Sequence, residues 1–125
     1  MRNEEHDLQC ACVKWFAYAH PELKGLLFAV PNGGARSKAT AGRLKAEGVV
    51  AGVADLILLV PAKFRVNAYL EGIFPALCIE MKTENGVQRE AQKEWQRKVE
   101  EKGYKYAVCR SLDQFIETIE NYLKP

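Results

Sequence analysis

The residues able to do chemistry in this chain are a few carboxylates, one lysine and one glutamine. Glu80-Met81-Lys82 closes the apolar run Ala76-Leu77-Cys78-Ile79, Asp55 opens the apolar run Leu56 to Val60, and Glu5 stands near the start of an amphipathic stretch. In a strand successive side chains alternate faces, so Leu77, Ile79 and Met81 point one way while Cys78, Glu80 and Lys82 point the other. A carboxylate and an ammonium at the end of such a strand are costly to desolvate and need partners, most simply a metal ion and a charged substrate. A solvated strand end with an ordinary ion pair has the same pattern. Two or three carboxylates meeting at one sheet edge repel unless a divalent cation joins them, and hard oxygen ligands select Mg²⁺ or Mn²⁺ over zinc. Such an ion lowers the pKa of a bound water and stabilises charge on a phosphate, while a neighbouring lysine positions the water or steadies the transition state. The chemistry this set would serve is phosphodiester hydrolysis.

The elements that must position these groups follow from periodicity. Leu8, Cys12, Trp15 and Ala19 recur at helical spacing, which predicts an amphipathic helix from Glu4 to about Ala19, ended by Pro21. Glu5 extends that stripe one turn back, beside Gln9; alternatively Glu4 and Glu5 only complement the helix dipole. Leu26 to Val30 reads as a strand leading into the turn Pro31-Asn32-Gly33-Gly34. From Ala35 to Glu47 a loop and thin helix carry Arg36, Lys38, Arg43 and Lys45, with Gly48 suited to a left-handed C-cap. The Gly-Gly turn and basic segment would suit phosphate contacts or a plain solvated surface. Leu56 to Val60 is apolar on both faces, as in a strand covered on both sides. Residues 61–75 mix charge and aromatics and read as an irregular loop or a hairpin. Val87 to Lys102 reads as a helix whose Gln88, Ala91, Gln92, Trp95 and Val99 share one face; Gln92, inside an apolar stripe, needs a polar partner if buried. Tyr104 to Cys109 reads as a strand, Ser111-x-x-Gln114 as a capping box, and Leu112, Phe115, Ile116, Ile119, Tyr122 and Leu123 as the core face of a last helix. The order is a mixed α/β sandwich with a central sheet covered by helices.

Composition bounds the function. A chain of 125 residues, 48% hydrophobic and 27% charged, suits one globular domain over residues 1–125. Its 18 basic against 16 acidic residues permit nucleic-acid binding without declaring it. Cys10, Cys12, Cys78 and Cys109 lack zinc spacing, and the charged N-terminus is unlike a signal peptide, so free thiols in a reducing cytoplasm are expected. No run approaches the roughly 20 apolar residues of a membrane helix.

In order along the chain stand Glu5-x-x-Leu8-Gln9, Pro31-Asn32-Gly33-Gly34 with Arg36, Gly52-Val53-Ala54-Asp55-Leu56, Ile79-Glu80-Met81-Lys82, Gly86, Gln92-x-x-Trp95 and Gly103-Tyr104. This series resembles the VRR-Nuc branch of the PD-(D/E)xK nucleases from about residue 4 to residue 123. Ala54 departs from it where the family usually has proline; proline ligates nothing, so the chemistry is unaffected. The resemblance implies a restriction-endonuclease-like mixed sheet flanked by helices and a Mg²⁺- or Mn²⁺-dependent DNA endonuclease. It implies Asp55, Glu80 and the Met81 carbonyl as metal ligands, Glu5 assisting directly or through water, Lys82 positioning or activating the attacking water, and Gln92 holding Lys82 or the surrounding network. Asn32, Arg36, Lys38, Arg43 and Lys45 are expected on DNA phosphates. Stand-alone members, phage-borne or bacterial, resemble resolvases of branched DNA such as Holliday junctions, whose near two-fold symmetry suits a homodimer. Aromatics of residues 61–75 are candidates for its interface. The competing readings are a non-catalytic nucleic-acid-binding module of the same fold and a protein-interaction domain whose charges are surface ion pairs.

Overall fold

The structure is a computed structural model that describes residues 3–31, 37–67 and 71–124. Helix α1 spans Glu4–Ala19, opened by the Asn3 side chain, which accepts from the His6 amide. It buries Cys12 and Phe16, and a turn of 3₁₀ helix over Pro21–Leu23 carries the chain away. Strand β1 (Leu27–Ala29) follows, then α2 (Lys38–Ala46), capped by Ser37 and closed by Gly48 in the left-handed region. Strand β2 (Leu56–Leu58), the hairpin β3 (Ala62–Arg65) and β4 (Glu71–Phe74), and strand β5 (Leu77–Met81) come next. Helix α3 (Glu90–Glu101), strand β6 (Lys105–Cys109) and helix α4 (Leu112–Leu123) complete the order.

The main sheet runs β1-β2-β5-β6, antiparallel up to β5 and parallel between β5 and β6. A parallel neighbour needs a crossover, and α3 supplies it. One sheet face packs Leu56, Leu58, Leu77, Ile79, Met81 and Cys109 against Cys12 and Phe16 of α1 and Phe115, Ile119 and Tyr122 of α4. The other face packs Cys78 and Tyr106 against Trp95 and Val99 of α3. Every residue of β5 is buried, which makes it the axis of the sandwich. Among the described residues no helix is long and apolar enough to cross a membrane.

Several sequence expectations move. Residues 61–75 contain a hairpin with its own two-stranded sheet. The strand expected over Leu56 to Val60 ends at Leu58, and Leu59 is 56% exposed as the chain turns toward Pro61. The helix expected from Val87 begins three residues later, because Arg89 is its extended N-cap and the Gln92 side chain accepts from the Arg89 amide at 2.8 Å. Gln88 therefore precedes the helix, and Ala91 is exposed. At α4, Ser111 accepts from the Gln114 amide as a capping residue should, but the Gln114 side chain reaches Arg110 N rather than Ser111 N.

Candidate active site

The sheet register builds the site. Leu56 lies opposite Ile79 in the antiparallel β2–β5 pair, so Asp55 and Glu80, one step further on, stand abreast where the ladder runs out. The Met81 amide has no strand carbonyl to meet there, and Asp55 Oδ2 accepts it at 2.7 Å. That bond pins Asp55 to the strand carrying Glu80 and Lys82.

Glu80 is 1% exposed and tethered at both oxygens. Gln92 Nε2 donates to Oε1 at 3.1 Å and the Tyr106 hydroxyl donates to Oε2 at 3.0 Å. The Arg89 amide fixes which way the Gln92 amide faces, and Gln88 Nε2 donates to the Tyr106 oxygen at 3.3 Å, leaving the phenol proton for Glu80. Burial, then the adjacent Asp55 within hydrogen-bonding reach, push the Glu80 carboxyl up to about 8, against the pull of the Tyr106 hydrogen bond and the Lys82 ammonium. The Tyr106 phenol is pushed up by burial and by Glu80. Lys82 is buried to 7% exposure; its amide donates to Cys109 O at 3.0 Å, and its ammonium makes no ion pair within 4 Å among the described residues. The loop after it is held by Arg110, whose Nη1 donates to the carbonyls of Thr83 at 2.9 Å and Gly86 at 2.6 Å.

Glu5 is half-buried and lines, with Asp55, a cleft of about 710 Å³ between α1 and the end of β1. Gln9, His6, Lys14 and Cys10 share its wall, with the Cys10 thiol 3.5 Å from His6 Nε2. Glu80 and Lys82 are buried and do not line that cleft. Among the described residues no three His, Cys, Asp or Glu side chains converge closely enough to hold an ion. The donor set that does converge is the Asp55–Glu80 pair, two hard carboxylates whose mutual repulsion a divalent cation would relieve, so these residues fit Mg²⁺ or Mn²⁺ as a two-carboxylate centre.

Gln92 is placed on Glu80. Lys38, Arg43 and Lys45 are exposed on α2, in the connection between β1 and β2. Lys38 and Lys45 share one side of that helix, while Arg43 sits about 140° round from Lys38. Asn32 and Arg36 lie outside the described residues. Tyr106 and Arg110 were not found by sequence reasoning. Tyr106 reads as one aromatic in a strand, and only the parallel register that sets it opposite Cys78 delivers its hydroxyl to Glu80.

A mixed sheet that presents an aspartate at the mouth of one strand and Glu-x-Lys at the end of its neighbour defines the PD-(D/E)xK class of nuclease fold. A sequence model of the VRR-NUC domain matches residues 1–113, and the chain belongs to the VRR-NUC domain family, a nuclease-type domain. Among solved structures, one described as a VRR_NUC domain protein superposes with a TM-score of 0.74 at 26% identity, covering 98% of this chain and 89% of its own. Comparison with curated proteins finds no match.

Proposed function

We propose that the protein is a divalent-metal-dependent DNA endonuclease selective for branched DNA, acting as a homodimer. The observation that carries the chemistry is the Asp55–Glu80 pair held abreast by the Met81 amide, Gln92 and Tyr106, with Lys82 on the same strand face as Glu80. In this reading Asp55, Glu80 and the Met81 carbonyl would hold Mg²⁺ or Mn²⁺, and Glu5 would assist directly or through water. Bound there, the ion supplies Lewis-acid stabilisation of the phosphate and a more acidic water. Lys82, which makes no ion pair among the described residues, would position or activate the attacking water and offset the charge that grows on the phosphate. Lys38 and Lys45 of α2 hold the backbone near the cleft, and Asn32 and Arg36 are proposed to extend that contact. Of the aromatics of residues 61–75, Phe64 stacks on Phe74 and Phe74 on Tyr122 within the chain, and Tyr69 lies outside the described residues.

Cleavage of a labelled four-way junction and its matching linear duplex in Mg²⁺ or Mn²⁺ tests the reading, with Lys82→Ala alongside. Wild type should nick the junction preferentially, and Lys82→Ala should bind but cut at least ~100-fold more slowly. The sealed position of Glu80 favours the second reading, a non-catalytic nucleic-acid-binding module; binding by both proteins with no cutting in either metal would establish it. Equilibrium sedimentation giving a monomer at micromolar concentration would remove the dimer.

A further inference from the structure

We infer that the hairpin end of the molecule is a second DNA-backbone site, holding a segment other than the one at the carboxylates. The inference rests on the DNA-binding part of the reading above and is independent of its chemistry. Two adjoining clefts of about 420 and 400 Å³ share Lys63 and Phe64. Lys105 lines the first, and Arg65 and Lys124 line the second, against one carboxylate, Glu71. All four cations are exposed, and none forms an ion pair within 4 Å among the described residues. On α3, by comparison, Arg97 is paired with Glu94 and Glu101 and Lys93 with Glu90, while Lys98 is not paired among the described residues. Four unpaired cations around one anion make a concave positive surface, and concavity concentrates its field on a polyanion.

The floor is rigid. Phe64 and Phe74 stack at 4.1 Å, Lys105 Nζ stands 5.6 Å from the centre of the Phe74 ring, and the Tyr122 hydroxyl donates to Val60 O at 2.7 Å and Phe74 O at 3.3 Å. The hairpin is thereby clamped to α4, and Lys105 is placed before any ligand arrives. The site lies at the wrong end of the sheet to share the carboxylates' phosphate. Lys105 is opposite Leu77, the first residue of β5, whereas Glu80 and Met81 close that strand about 10–13 Å away. A phosphate held here is therefore a different one from that at the carboxylates, and the diverging arms of a junction present more backbone to two ends of one sheet than a single straight helix does.

Binding in EDTA tests this without cleavage. The probes are a four-way junction and a linear duplex of the same sequence, titrated across a salt series with wild type and with the Lys63→Gln, Arg65→Gln, Lys105→Gln, Lys124→Gln quadruple variant. Each lost phosphate contact flattens the dependence of log K on log salt by about 0.9. The junction slope should therefore become shallower by about 3 to 4, and the duplex slope by less than about 1. Should the quadruple variant fail to fold, Lys63→Gln with Lys124→Gln should flatten the junction slope by about 2. An unchanged junction slope, or an equal change on both DNAs, overturns the inference. So does sedimentation showing that the substitutions convert a dimer to a monomer, since the surface then seats a second copy. Wild type that binds the junction in EDTA yet cuts nothing in Mg²⁺ or Mn²⁺ refutes the nuclease and leaves this inference standing.

Discussion

At the scale of single residues the site turns on how Glu80 is held. Because Gln92 and Tyr106 each spend one hydrogen on it, the Glu80 carboxyl is locked in rotation beside Asp55. Tyr106→Phe keeps the ring against Trp95 and deletes one tether. Loss of such a supporting contact weakens metal affinity about ten-fold. Calorimetric titration of Mn²⁺ without DNA checks this; equal affinities would make the hydroxyl merely structural. Glu80 also gives the fold a pH dependence. Its carboxyl is raised from an ordinary 4.5 to about 8, chiefly by burial and then by Asp55, so in that window the folded chain keeps a proton that the unfolded chain has released. That contribution is complete below 4.5 and is lost as the pH climbs through 8, with a slope of at most about 1.4 kcal/mol per pH unit. Urea unfolding in EDTA from pH 5 to pH 8 should show stability falling, and Glu80→Gln should flatten the fall.

At the scale of elements the site is a problem of bringing α3 close to the strands. Gly52, with φ of +83°, runs against the first turn of α3, where an added Cβ would collide with the Ala91 carbonyl and sit 2.9 Å from Gln92 N. Gly52→Ala must therefore strain the backbone or push Gln92 away from Glu80, at a cost of about 2 kcal/mol or more. Thermal unfolding reads the first effect and Mn²⁺ affinity the second; a variant normal in both would show that the approach is not tight. The elements themselves were largely legible. The α1 stripe predicted its observed bounds, and Pro21, Gly48 and Gly103 marked real ends because each acts through its own backbone geometry. The start of α3 was not legible, since a glutamine bonding back to an arginine amide follows no apolar period. Nor was the hairpin, where Phe64 and Phe74 turn inward to Tyr122 while their neighbours stay exposed.

At the scale of the whole molecule, chain order was readable and depth was not. Asp55, Glu80 and Gln92 could be gathered on paper because two strands and a following helix share one sheet end. That Glu80 is sealed while Asp55 and Glu5 face a cleft depends on Tyr106, supplied from β6 by a register no local pattern encodes. The four thiols sort by the same layering. Cys12, Cys78 and Cys109 are closed into the two faces of the sandwich, and burial pushes each of them up, Cys12 to about 12 and Cys78 to about 11. Cys10 alone is exposed, on the wall of the Asp55 cleft. The native chain thus carries its own attachment point for an optical reporter: a maleimide dye added under native conditions labels Cys10, and its emission follows whatever enters or leaves the cleft, with no cysteine engineered in or out.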